Sequence, residues 1–256
     1  MTSVLKYVGR MSKSHIKPYI TDNINTYVEP FSGSFNCAFN LIDDGFDGKV
    51  VFNDKDLNVY NFWLCVKTDL DRLIDNIDRL IDQIRNSYRT PKNEIKHMDK
   101  SKFDIFELAA YEYVYRVINH FNGALYLFKD EPYKLGDFMI QHEMLQNCDL
   151  NNLDYSDVIQ KYDSENTLFL LDPPFNIKNV TSYYRDVEDF DHAKLKDILS
   201  NTKGKWLLRY NKDDYIMQLY SGYNTFGGLV NKAFAKDVSA VYFTNLEVLP
   251  EVCTLQ

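Results

Sequence analysis

The sequence predicts an α/β fold: a sheet whose strands alternate with helices, with a mainly helical stretch set into it. Three observations carry the prediction. Short apolar runs such as VVF, LFLL and WLL recur between segments of helical period, as expected of strands linked by helices. These runs end in loops bearing Asp, Asn or Gly, which is where open α/β sheets bind their ligands. From about residue 60 to 155 the alternation stops, and helical spacing and a basic tract take over.

Bulk properties narrow the class. At 256 residues, 45 % hydrophobic and 15 % aromatic, the chain can bury one large core, with or without a smaller insert, and is not disordered. It holds no run of 18 apolar residues, so no membrane span is expected. The start, MTSVLKYVGRMSKSH, has no apolar signal core, which predicts an intracellular, cytoplasmic protein. Cys37, Cys65, Cys148 and Cys253 are scattered without a CxxC pair, and the histidines show no ligand spacing, so no metal site is expected. A net charge of −8 means that any nucleic-acid contact must come from a local basic surface.

From the N-terminus, TYVEPFSGSF reads as a strand at Tyr27-Val28 running into a glycine loop. FNCAFNLI follows with helical spacing through Phe35, Ala38, Phe39 and Ile42. DDGFDG is a turn, and KVVFND is a second strand that closes on an acid. LNVYNFWLCVKTDLDRLIDNIDRLIDQIRNSY keeps apolar residues three and four apart, which predicts one long amphipathic helix. Residues 85–102, RNSYRTPKNEIKHMDKSK, read as a basic loop. FDIFELAAYEYVYRVINHF is helical again, with Phe106, Tyr111, Tyr113, Tyr115 and Phe121 as core, and NGALYLFKDEPYKLGDF is hairpin-like. Beyond 167 come the strand TLFLL, the helix DHAKLKDILSNT stopped by Gly204, the strand KWLLRYN, the helix DDYIMQLYS and the strand SAVYFTN. The division is therefore a sheet domain over 1–59 and 156–256, with 60–155 as a helical insert or cap.

Three stretches could do chemistry. In VEPFSGSF, Gly33 lets backbone approach a ligand, Glu29 stands at the strand end, and Phe31 supplies a flat wall. In VVFNDKD, Asp54 ends the second strand about twenty residues after the glycine loop, the place of an acid that accepts from ribose hydroxyls; Asp56 reads as a helix cap. The third is TLFLLDPPF. Pro173 and Pro174 have no N–H and cannot continue the strand, and each pushes its predecessor into extended conformation. The outcome is a stiff corner presenting the Asp172 carboxylate, a free carbonyl on Pro173 and the Phe175 ring.

The order LKYVG, EPFSGSF, NDKD, DPPF, SAVYFTN resembles the DNA adenine-N6 methyltransferases of Dam type, in which the same blocks occur in the same order over nearly the whole chain. The resemblance implies a Rossmann-like class I methyltransferase fold, S-adenosylmethionine as donor, and a flipped adenine in duplex DNA as acceptor. It implies cofactor roles for Tyr7, Gly9, Glu29, Phe31, Gly33, Asp54 and Asp172, and a catalytic tetrad Asp172, Pro173, Pro174 and Phe175. The region 60–155 would be the target-recognition part, and the expected setting is a bacterial or phage-infected cell, with restriction-modification as one role.

Two departures from the family pattern stand out. Phe35 replaces the second glycine of the loop, which would put a bulky side chain where backbone usually nears the cofactor. The passage FNGALYLFKDEPYKLGDF is net acidic, unlike the basic hairpin of Dam-type enzymes. DNA contact is expected from Arg85, Arg89, Lys92, Lys96, Lys100 and Lys102, with Asn122 at the edge of the insert. Two rival readings compete: a catalytically weak methyltransferase-like module that binds nucleic acid or protein, and an amino-methyltransferase acting on RNA or protein.

Overall fold

The computed structural model describes residues 2–5, 16–119, 123–175, 190–231 and 238–247. Its centre is a sheet of strands β1 (Thr26–Glu29), β2 (Lys49–Asn53), β3 (Cys148–Asn151), β4 (Thr167–Leu171), β5 (Lys205–Asn211), β6 (Asn224–Asn231) and β7 (Val238–Thr244). They lie in the order β3-β2-β1-β4-β5-β7-β6. The first five are mutually parallel, and β7 pairs antiparallel with both β5 and β6. Strand order reverses between β1 and β4, so the carboxyl ends of those two strands flank the crevice that binds ligands in open α/β sheets. This is the expected α/β sheet, a mixed seven-stranded one consistent with a class I methyltransferase fold.

Helices α1 (Asn36–Asp43), α2 (Leu57–Thr68), α3 (Leu70–Arg85), α4 (Pro91–Lys96), α5 (Ile105–Asn119) and α6 (Leu135–Leu145) lie on one side of the sheet. Their apolar faces form one core with Tyr27, Val50, Phe52, Leu168, Leu170 and Leu207 of the sheet. Under α7 (Tyr155–Tyr162), α8 (His192–Asn201) and α9 (Asp214–Leu219), the alternate strand residues Val28, Val51, Phe169, Leu171, Trp206, Leu208 and Tyr210 form a second core. Both faces of β1, β2, β4 and β5 are thus buried, which explains their continuous apolar runs.

Several elements differ from expectation. The long helix is two, because Asp69 adopts φ −156° and ψ 83° between α2 and α3. Its N–H closes α2 on the Cys65 carbonyl, and its carboxylate caps α3 by accepting from the Arg72 N–H (3.1 Å). The basic tract is not all loop. Thr90 caps α4, Pro91 occupies its first turn, and Ile95 is buried beneath the Tyr111 hydroxyl, which donates to its carbonyl (3.2 Å). The hairpin-like passage holds no strand among its described residues; it is a 3-10 helix, Gly123–Phe128, followed by α6. Phe138, Gln141 and Leu145, three to four residues apart, anchor α6 inward. Gln141 ties the chain start to it, accepting from the Val4 N–H (3.1 Å) and donating to the Thr2 carbonyl (3.0 Å).

β3, within the stretch read as insert, joins the sheet beside β2, so the sheet reaches into 60–155. CDLN is too short and polar to announce itself as a strand. β6 was missed for a related reason: NTFGGLVN carries two glycines and is irregular between Gly227 and Val230. Among the described residues no helix is long and apolar enough to cross a membrane.

Candidate active site

Three strand ends meet at the β1/β4 reversal. Asn53, at the end of β2, cross-links its neighbours: its side-chain amide donates to the carbonyls of Pro30 (2.9 Å) and Leu153 (3.1 Å) and accepts from the Leu153 N–H (3.0 Å). The Ser32 hydroxyl donates to the Glu29 carbonyl (2.7 Å) and accepts from the Asn53 N–H (3.0 Å). Asp54 locks the glycine loop from below, with one oxygen accepting from the Gly33 N–H (2.8 Å) and the other from the Asp56 N–H (2.9 Å). Burial lifts the Asp54 carboxyl to about 6 against those two donors. Asp56 caps α2, as expected, accepting from the Asn58 N–H (2.9 Å).

Glu29 is 5 % exposed at the end of β1. Its Oε1 accepts from the Tyr27 hydroxyl (2.9 Å) and from the Ala38 N–H (2.9 Å) in the first turn of α1. Burial pushes its carboxyl up to about 8, so it is mainly protonated at neutral pH, with the Asp172 charge pushing the same way. Phe31 is half-buried, its ring 5.4 Å from that of Tyr155 and 5.7 Å from that of Phe190. This corner offers carboxyl oxygens and an aromatic wall, a donor set that fits hydroxyls, an ammonium group and a flat or cationic apolar ligand.

Asp172 stands just past β4, its side chain 27 % exposed. The register pairs Leu171 with Leu208, which places Arg209 of β5 alongside it. The Arg209 Nη1 donates to Asp172 Oδ2 at 2.9 Å, and the guanidinium carbon lies 5.2 Å from the centre of the Phe175 ring. Burial raises the Asp172 carboxyl above its ordinary value, and Arg209 opposes the rise. Pro173 is buried, Pro174 half-buried, and Phe175 is 9 % exposed, 6.5 Å from Tyr210.

Phe35 does not obstruct this corner. It sits at φ 53°, the left-handed conformation a glycine would supply, yet its ring is fully buried edge-on to Phe39 (5.2 Å) and Phe52 (5.1 Å). The expectation of bulk beside the ligand gives way because the side chain turns into the helical-face core while the backbone keeps the glycine-like turn.

The structure thus brings Glu29, Phe31, Gly33, Asp54 and Asp172 through Phe175 to one rim. Tyr7, Gly9 and Asn122 lie outside the described residues. The cationic group divides. Arg85 turns inward, donating to the carbonyls of Leu127 (2.5 Å) and Lys129 (2.6 Å) at the end of the 3-10 helix. Lys100 lies over the Tyr111 ring at 4.3 Å. Arg89, Lys92, Lys96 and Lys102 are exposed, and an open recess of about 360 Å³ is lined by Arg89, Asn93 and His97. Phe106, Tyr111 and Tyr113 are buried, as expected for core, Tyr115 is half-buried against them, and Phe121 lies outside the described residues. Among the described residues, Cys37, Cys65 and Cys148 are buried free thiols, and no cluster of His, Cys, Asp or Glu could hold a metal.

Arg209, Asn53 and Ser32 were not singled out by sequence. Arg209 had a signal: an arginine inside a strand buried on both faces needs a carboxylate on an adjoining strand, and LLD provides one.

The family model of the D12 class N6 adenine-specific DNA methyltransferases matches residues 10–234. The chain is 25 % identical over 232 residues to the type II methyltransferase M.MjaIII of Methanocaldococcus jannaschii, covering 79 % of each. It is 19 % identical over 230 residues to the type II methyltransferase M.CviBI of Paramecium bursaria Chlorella virus NC1A, covering 87 % of this chain and 88 % of that protein.

Proposed function

Because the chain belongs to the D12 class N6 adenine-specific DNA methyltransferases, we propose that the crevice between β1 and β4 is where an adenine flipped out of duplex DNA is methylated. Membership makes it an enzyme that uses S-adenosylmethionine and acts on adenine N6 in DNA. When bound, the donor supplies an electrophilic methyl carbon carried on a sulfonium sulfur. The chain's own part is to hold and orient. Glu29, Phe31, Gly33 and Asp54 would hold the donor, together with Tyr7 and Gly9 of the N-terminal segment.

Asp172 and the Pro173 carbonyl would each accept one N6–H. An exocyclic amine is a poor nucleophile because its lone pair is delocalised into the ring. Two acceptors favour pyramidal nitrogen and free that lone pair, each bond contributing about 1–3 kcal/mol, the charged one more. The proton lost from N6 passes to the Asp172 carboxylate and then to water, so no covalent nucleophile on the protein is needed. Phe175 would lie against the base, a contact of about 1–3 kcal/mol. Exposed Arg89, Lys92, Lys96 and Lys102 would neutralise phosphates of the duplex, with Lys100, Asn122 and the helices of 60–155 forming the reading surface. The type II names of the relatives support a site-specific role in protection against restriction.

The observation that carries this reading is the placement of Asp172 at the reversal point beside Glu29. Incubation with labelled donor and duplex DNA, with RNA and protein as parallel acceptors, tests it. Label should enter N6 of adenine in DNA alone, and Asp172→Asn should abolish transfer in a protein that still unfolds cooperatively, its melting temperature lowered by loss of the charge opposite buried Arg209. A fully active Asp172→Asn protein would refute it. The inward Phe35 removes one of the grounds for reading the chain as a silent module, the others being its net negative charge and the acidic passage that runs into α6.

A further inference from the structure

The residue least explained by the family chemistry is Arg209. It is 3 % exposed inside β5, and arginines are rarely buried so completely unless paired. Its guanidinium reaches both ends of the DPPF corner, bonding Asp172 Oδ2 at 2.9 Å and lying 5.2 Å from the centre of the Phe175 ring. The strand register fixes this arrangement, since Arg209 and Asp172 are lateral neighbours that follow the Leu208–Leu171 pair.

Building on the assignment of Asp172 as the N6–H acceptor, we propose that Arg209 is a positioning residue for methyl transfer, keeping the Asp172 carboxylate ionised and turned so that its second oxygen is offered to the base. The pair occupies Oδ2 and leaves Oδ1 for the amine. Arg209 opposes the burial that raises this carboxyl, so the acceptor is a weaker base than burial alone would make it. The amine nitrogen becomes strongly acidic once it is alkylated, so such an acceptor still takes its proton. The same guanidinium over Phe175 fixes the ring's edge relative to the carboxylate, coupling base stacking to hydrogen bonding.

Other groups electrostatically coupled to the pair do not replace Arg209. Glu29 on β1 is largely protonated at neutral pH, and burial holds Cys37 on α1, Tyr210 on β5 and Tyr242 on β7 in their neutral forms. Loss of the cation therefore leaves Asp172 in an environment that favours its protonated form.

The test is the pH profile of single-turnover methyl transfer into duplex DNA at saturating donor, for the parent, Arg209→Gln and Arg209→Lys. In Arg209→Gln the acid limb should move up by about one to two pH units, with activity lost at low pH and recovered as pH rises. One unit below the new midpoint the loss should be roughly tenfold. Arg209→Lys keeps the charge on a single-point donor, so its limb should shift in the same direction by less and its activity should partly return. An unmoved acid limb in a folded variant, with activity merely scaled down at every pH, overturns the proposal. If Arg209→Gln does not fold, the Arg209→Lys limb decides in the same way. Failure of the underlying assignment looks different: Asp172→Asn would then be active, or the parent would show no acid limb at all.

Discussion

Replacing Phe35 by glycine sets two opposed terms against each other, and the structure gives the sign. The residue holds φ 53°, a conformation that costs a non-glycine residue about 1–2 kcal/mol. Its ring is fully buried and edge-on to Phe39 and Phe52, and truncating such a ring to alanine costs about 3–5 kcal/mol. Phe35→Ala keeps the backbone strain and loses the ring, so it should lie about 3–5 kcal/mol below the parent. Phe35→Gly loses the ring but relieves the strain, less about 0.5–1 kcal/mol for glycine's freer unfolded chain. It should lie above Phe35→Ala by up to about 1.5 kcal/mol, and still below the parent by about 1.5–5 kcal/mol. Urea unfolding followed by the fluorescence of the buried Trp63 and Trp206 measures all three, provided the slopes agree. Parity of Phe35→Gly with the parent would show that strain outweighs packing. Phe35→Gly falling below Phe35→Ala would show that the position is not left-handed. A tenfold gain in donor affinity for Phe35→Gly would show instead that the ring obstructs the crevice.

Three further outcomes follow from the same geometry. Glu29 has an ordinary value of 4.5 and stands at about 8 when folded, so the native state holds the extra proton between those limits and stability should fall as pH rises through that window. Glu29→Gln, whose amide oxygen can keep the Tyr27 and Ala38 bonds, should flatten that slope in thermal melts, and an unchanged slope would contradict the buried, protonated carboxyl. Arg85→Ala should loosen the 3-10 helix and cost about 1–3 kcal/mol without altering the salt dependence of DNA binding; Lys92→Glu or Lys96→Glu should weaken binding and reduce the salt slope by about one each. Phe175→Tyr should retain transfer, whereas Phe175→Ala should lower kcat/KM by roughly 5- to 150-fold, read from steady-state kinetics on duplex substrate.

How legible the fold was depended on local signal strength. VVF, LFLL and WLL announced β2, β4 and β5 because strands buried on both faces are apolar throughout. The break at Asp69 left no mark in the hydrophobic period, since α2 and α3 face one core and the apolar spacing carries across the cap. At the site, the prolines and glycines of the loops were readable because they restrict backbone one residue at a time. The Asp172–Arg209 pair was not, because it joins residues 37 positions apart whose adjacency depends on strand register. Arg85 misled for a similar reason. A cation in a basic tract looks solvated until the carbonyls of Leu127 and Lys129 are brought beneath it.

The helices between β2 and β3 and one side of the sheet are buried against each other as a single core. A reading surface carried on these helices, as proposed above, could not be exchanged between enzymes as a cassette. Excision would bare Tyr27, Phe35, Phe52 and Leu170 to water, and a foreign replacement would have to match their contours. New sequence preference is therefore expected to come from substitutions along the outer rim near Tyr88 to Lys102, where side chains can change without disturbing what holds the catalytic strands in place.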